Sequence, residues 1–227
     1  MLRKILSLAI ISYFIVTSSD VHAVSENIEL STSAGYSNLN SFEFDKTASL
    51  FKPFHGFHLE LDGFYNFNSN DLPVIFTTGI GIKYLQASSK NNQPNIEYVK
   101  STETTLSFTS IPVYAGIKTN FSDIPFDLYL LGDIGYDFSD SIKVSMESNT
   151  EFVKYVNSNT EYKIKNHYYY GIKFVSLYKI SLNFSLGMHL NYNRHYMILD
   201  YISKSVTYSE STHFNEISTG LTMKYIF

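Results

Sequence analysis

Four carboxylates and four lysines are the side chains most able to do chemistry in this sequence, and they share a spacing. Glu60, Asp62, Asp133 and Glu216, with Lys83, Lys118, Lys173 and Lys224, each fall on the hydrophilic half of a segment whose alternate residues are mostly apolar. If that half lines an enclosed space, charges of mixed sign pair with one another, because a lone buried charge is costly. The spacing therefore predicts a lumen charge network that acts as a plug. Histidine offers a second chemistry, metal ligation. His55 and His58 lie in one segment and His189 and His195 in another, yet no carboxylate or cysteine stands at ligand spacing with them, so no metal site is expected. The chain contains no cysteine at all, which excludes disulfides and a cysteine-linked lipid anchor. No glycine-rich phosphate loop or dinucleotide fingerprint occurs, so no cofactor is expected and no residue is assigned a catalytic role.

The elements that must position these residues are strands. Side chains along a strand point alternately to opposite faces. Residues 57–67 put Phe57, Leu59, Leu61, Gly63, Tyr65 and Phe67 on one face and His58, Glu60, Asp62, Phe64 and Asn66 on the other. The same period runs through 28–36, 74–84, 96–117, 128–138, 162–174, 180–192 and 214–227. Near Thr109 and Ser110 the apolar positions change phase, from Leu106 and Phe108 to Ile111 and Val113. That change predicts a β-bulge beside Pro112, which cannot donate to a ladder. Short connections at 68–73, 120–126 and 176–179 alternate with long ones at 38–53, 87–95, 139–163 and 193–213. Within 139–163, Ile142, Val144 and Met146 keep the period, as they would in a hairpin that outruns the rest.

Both ends of the chain carry a signal. Arg3 and Lys4 precede an apolar run over 5–16, and Val21 and Ala23 suit a cleavage site. That predicts a signal peptide over 1–23, since the run is shorter than the roughly 20 residues a membrane-spanning helix needs. The mature chain is then a single domain, 24–227. At the other end Leu221, Met223, Tyr225 and Phe227 alternate up to the last residue. This resembles the closing strand of bacterial outer-membrane β-barrels, and the resemblance implies an assembly signal for the insertion machinery. Residues 111–118 with Phe121 likewise resemble the fourth strand of small eight-stranded barrels of the OmpX and OmpA-like, opacity-type porin family. Membership implies an all-β fold, an eight-stranded antiparallel up-and-down transmembrane β-barrel with short periplasmic turns and long extracellular loops. It also implies the bacterial outer membrane as location, with its lipid, lipopolysaccharide and barrel-assembly machinery as partners. The rival is a soluble sandwich or lipocalin-like barrel, which alternates too. The polar face decides between them, because a water-facing surface would carry far more Lys and Glu.

Function is less legible. A formal net charge of −4 makes nucleic acid an unsuitable partner. Outer-membrane lipid A deacylases carry a His-x-Ser pair; the nearest match is His189-Leu190-Asn191, which lacks the serine, so no enzyme is expected. OmpX-type barrels are similar in architecture, and that likeness implies a structural and adhesive role in which protruding strands bind host or other proteins. Tyr98, Tyr155, Tyr196, Tyr201 and Tyr208 are the candidate surface contacts. A narrow porin-like channel for small solutes is the alternative, and a lipid-modifying enzyme the third reading.

Overall fold

The computed structural model describes residues 27–40, 43–44, 53–67, 74–91, 101–119, 124–147, 161–203 and 206–226. They form β1 (Ile28–Leu39), β2 (Glu43–Phe44), β3 (Phe54–Phe67), β4 (Val74–Asn91), β5 (Ser101–Thr119), β6 (Phe126–Glu147), β7 (Glu161–Lys179), β8 (Phe184–Ser203) and β9 (Val206–Ile226). The eight long strands pair antiparallel in chain order, and β1 closes the ring on β9 from Glu29↔Ile226 to Leu39↔Glu216. Among the described residues, the two-residue β2 pairs with His213 and Thr212 of β9. The result is the up-and-down barrel that the alternation calls for. Residues 1–23, expected to be a signal peptide, lie outside the described residues, as do Tyr98, Phe121, Tyr155 and Phe227.

Over the half of the barrel nearest the connections 68–73, 120–125 and 180–183, the polarity is inverted. Phe76, Ile80, Ile82, Val113, Ile134, Ile172, Met188, Leu190 and Leu221 are exposed on the outside. All eight charged residues of the expected network are buried. A soluble protein does the opposite, whereas a bilayer needs an apolar outer band and tolerates polar groups only inside the ring. Inner-face glycines make the room: a Cβ on Gly81 would strike the Asp62 carboxylate, and one on Gly135 the Tyr169 ring.

Toward the other end the polarity returns to normal. Leu39, Phe54, Leu85, Ala87, Leu106, Phe108, Met197 and Phe214 form a buried core, with Ile142 and Ile164 packed against it. Outward positions there are polar, including Glu103, Lys143 and Ser145. This corrects the sequence reading of β5. The ladder does shift between Thr109 and Ser110, but Thr109 faces Ser139 while Ser110 faces Asp137, so the additional residue is Phe138 of β6. β5 itself keeps one phase, with Leu106, Phe108, Ser110, Tyr114 and Lys118 all buried. Its apolar positions change parity because the strand passes from lipid to water, not because the chain slips.

Two connections also differ from expectation. Residues 176–179 belong to β7, and the reversal lies at 180–183, where the amides of Ile180 and Ser181 both donate to the Phe184 carbonyl. The stretch 193–213, read as a loop, is mostly hairpin: β8 and β9 stay paired from Phe184↔Tyr225 to Ser203↔Val206. Its composition is polar because the extension stands in water, and polarity alone does not separate a solvated strand from a loop.

Candidate functional site

The lumen is stratified, and the charges occupy two separate layers. In the central layer Lys83 of β4 donates to both oxygens of Glu216 at 2.9 and 2.8 Å and lies 3.9 Å from Glu60. Lys173 of β7 bridges Glu60 and Asp62, the latter at 2.9 Å. Tyr114 donates to Asp62 at 3.1 Å, and the Asn191 amide to Glu60 at 3.4 Å. Asp133 has no ion pair among the described residues; with the Asn193 amide turned, its nitrogen donates to Asp133 Oδ2 at 3.2 Å. Six of the eight expected network residues therefore converge here, on β3, β4, β6, β7 and β9.

Lys118 and Lys224 belong to the second layer, at the short-turn end. Lys118 pairs with Glu29 at 2.6 Å, and Lys224 with Glu29 at 3.2 Å and Asp127 at 2.6 Å. Tyr129 donates to Glu29 at 2.7 Å. Sequence reasoning missed Glu29 and Asp127, although Glu29 falls on the inward phase of β1 and was readable from it. On the β3, β5, β6 and β7 side an apolar cluster of Phe64, Tyr114, Tyr129, Leu131, Val175 and Leu177 lies against the layers, while buried Ser31, Ser33, Ser185 and Thr222 line the side of β1, β8 and β9. The cavity bordering that cluster is about 10 Å³, room for about one water.

Four histidines lie above and beside the central layer, in two pairs. His58 and His189 meet Nε2 to Nε2 at 2.8 Å, while His167 Nε2 lies 3.0 Å from His195 Nδ1. The sequence grouped these residues differently, pairing His189 with His195 along one strand, and it overlooked His167. It also expected no carboxylate near them, and this is corrected. Asp137 Oδ2 stands 3.3 Å and Asp140 Oδ1 3.4 Å from His167 Nδ1, and Glu216 Oε2 lies 3.0 Å from His195 Nε2. These carboxylates come from β6 and β9, so no spacing along one strand reveals them. A local irregularity aims His167 inward: Asn166 takes a φ of 49°, in the left-handed region, where the β7–β8 register shifts between Lys165 and Tyr168. Bulges of this kind commonly re-aim side chains.

Outside the barrel the aromatics form two bands. Tyr65 packs edge-on against Phe67 at 5.0 Å and Phe126 against Tyr178 at 5.2 Å near the turns. Toward the loop end Tyr168 and Tyr170 both stack on Tyr196, at 5.5 and 5.8 Å, with the Arg194 guanidinium over the Tyr196 ring. Tyr196 is thus held in the upper band. Tyr201 and Tyr208 sit opposite one another in the β8–β9 tip, and their side chains lie outside the described residues. Leu221 and Met223 face outward on the closing strand, with Tyr225 half-buried.

One seam interrupts the wall. The β6–β7 ladder stops at Tyr136↔Tyr168, although β5–β6 continues to Ser101↔Glu147 and β7–β8 to Glu161↔Ile202. The cleft so opened is lined by Tyr136, Asp137, Phe138, Asp140, Ile164, Lys165 and Asn166.

Residues 8–225 match the family model described as outer membrane protein beta-barrel domain. No curated protein matches the chain. Among solved structures it is similar to Neisserial surface protein A, at 15% identity over 91% of this chain and 100% of that one, with a TM-score of 0.47. It is also similar to OprG from Pseudomonas aeruginosa, at 8% identity over 88% and 97%, TM-score 0.45. The outer membrane protease OmpT from Escherichia coli is a third, at 11% identity over 92% and 100%, TM-score 0.47.

Proposed function

Since the chain belongs to the outer membrane protein β-barrel domain family and sits in the bacterial outer membrane, we propose that its work is done by the strand extension at the cell surface and not through the lumen. The seam between β6 and β7 carries this reading. Beyond Tyr136 and Tyr168, among the described residues, two neighbouring strands run without a ladder between them. An unpaired strand edge presents backbone donors and acceptors to which an extended segment of another chain can add. Lys143 and Lys163 are exposed along these edges and would favour an acidic or polar partner segment. The partner class is a protein, of the host or of a neighbouring cell, bound in an adhesive role.

The filled lumen supports the same view against a channel. Two paired charge layers and the cluster of Phe64, Leu131, Val175 and Leu177 fill much of the lumen, and the cavity beside that cluster is about 10 Å³. Nor does His189, the nearest counterpart of a lipid A deacylase histidine, favour lipid chemistry, because it bonds to His58 and Thr222 inside the barrel. The test replaces residues 140–163 with a short turn and measures binding of whole cells to host cells. Binding should fall while the unboiled protein keeps its faster gel migration. Unchanged binding would refute the adhesive role, and a steady conductance in planar bilayers would favour a channel instead.

A further inference from the structure

The two histidine pairs look alike and differ in one respect, the groups behind them. Behind the inner pair stand hydroxyls. Ser37 lies 2.9 Å from His58 Nδ1 and donates to Glu216 Oε1, and Thr222 lies 2.8 Å from His189 Nδ1. A hydroxyl can give or take a proton. Thr222 can therefore donate to His189 Nδ1, which leaves His189 Nε2–H to donate to His58 Nε2, and both rings are satisfied while neutral.

Behind the outer pair stand carboxylates, which when ionised only accept. His195 Nε2 must donate to Glu216 Oε2, at 3.0 Å, and His167 Nδ1 to Asp140 Oδ1, at 3.4 Å. Each neutral ring has one N–H, and both are now used on the carboxylate side. His167 Nε2 and His195 Nδ1 therefore turn lone pairs toward each other across 3.0 Å. Something positive has to stand between them. A third donor is at hand: Asp137 is 5% exposed, and its Oδ2, 3.3 Å from His167 Nδ1, makes no hydrogen bond among the described residues. One donor atom from each of Asp137, His167 and His195 lies within 4.8 Å of the other two.

We propose that Asp137, His167 and His195 bind a divalent transition-metal ion of the zinc class, entering from the cell exterior through the β6–β7 seam. Two imidazoles and a carboxylate suit zinc better than they suit the oxygen-seeking magnesium or calcium. Ligands about 2.0–2.2 Å from a tetrahedral zinc stand roughly 3.3 Å apart, so the two imidazole nitrogens are almost in place, while the Asp137 carboxylate, 3.3 Å from His167 Nδ1, must swing toward the Nε2 side of that ring. Asp137 stands next to Phe138, the additional residue of β6. Glu216 and Asp140 orient the two rings from behind, the carboxylate–histidine–metal arrangement that raises ligand basicity. Walls are supplied by Phe108, 4.5 Å edge-on from His167, and Phe214, stacked 4.5 Å from His195, with Tyr169 at 4.8 Å. The cleft that Asp137 and Asp140 help to line provides the entry path.

The test uses the folded mature chain in detergent micelles, stripped with a chelator and titrated calorimetrically with Zn²⁺. One Zn²⁺ per chain should bind at about micromolar affinity or tighter, and Co²⁺ should give the visible bands of a four-coordinate nitrogen and oxygen site. His167→Ala and His195→Ala should each weaken binding more than tenfold, and Asp140→Asn by about tenfold through loss of orientation. His189→Gln, in the inner pair, should leave it unchanged. Asp137→Asn preserves shape and serves if the histidine variants misfold, as judged by gel migration. Absence of stoichiometric binding to the folded chain would mean that a proton fills the gap, and would overturn the proposal. So would binding that survives His167→Ala with His195→Ala, since exterior histidines such as His55 would then hold the ion.

Discussion

The same eight strands build two bodies of opposite polarity, stacked end to end. In the lower body apolar residues such as Ile80, Ile134 and Leu221 look outward and the interior is charged. In the upper one Leu85, Leu106, Phe108 and Phe214 fill the interior, and charges such as Lys143 and Glu103 look outward. No strand changes fold between them. Period-two alternation decides which residues share a face, whereas the surrounding solvent decides which face is the inner one. At the boundary lie the additional residue of β6, the left-handed Asn166 and the Asp137, His167 and His195 cluster. The polarity changes where the wall opens, and that coincidence gives the boundary its chemistry.

The comparison breaks most visibly in the lower interior. Lys173→Ala would leave Glu60 and Asp62 without their shared cation, and stranding buried charges of this kind costs about 3–5 kcal/mol. Urea unfolding of the chain in lipid vesicles should record that loss. Adding Glu60→Gln and Asp62→Asn to Lys173→Met should recover most of it, because neutral groups of similar shape no longer need a counter-ion. If Lys173→Ala costs nothing, the central layer is wet and the lumen is more open than its packing implies.

The upper body should respond as a soluble core does. Leu106→Ala removes a fully buried side chain and should cost about 2–5 kcal/mol. The loss should be local: the extension becomes sensitive to protease while the membrane part keeps its folded gel mobility. A matched pair of exterior substitutions then sharpens the contrast. Ile134→Arg, on the lipid face, should cost about 2–4 kcal/mol in vesicle unfolding. Ser107→Arg, outward on the upper body, should stay within about 0.5 kcal/mol. Equal costs at the two sites would mean that the membrane covers both.

Much of this was legible in the sequence, and the misses share one cause. Alternation alone placed Glu60, Lys83, Lys173 and Lys224 on inner faces, where they are buried. It also paired the faces of Phe57–Phe67 correctly, with His58 and Glu60 within and Tyr65 outward. What it could not supply is depth along the barrel axis. Leu106, Phe108, Ile111 and Val113 looked like a slip in β5 because one solvent was assumed along the whole strand. The polar β8–β9 tip looked like a loop for the same reason. The outer cluster was hidden differently, since Asp137, His167, His195 and Glu216 come from four strands and only the ladder registers bring them together.

The smallest expected effect lies at the tip of the upper body. Lys165 and Ser209 donate to the Asp200 carboxylate, Ser209 at 2.6 Å, and hold it below the usual carboxylate range. A depressed folded value means that these contacts contribute above the ordinary carboxylate value of about 3.9 and are lost as pH falls through the lowered one. Amide exchange corrected for its intrinsic pH dependence should therefore show constant protection at Lys163, Asp200 and Ser209 down to about pH 4, then fraying below it. Exposure of Lys165 to solvent keeps the effect slight and sensitive to salt. Asp200→Asn should abolish the pH step without disturbing the buried charge layers below. A tip that frays already near neutral pH would mean that the contacts of Asp200 do not hold it.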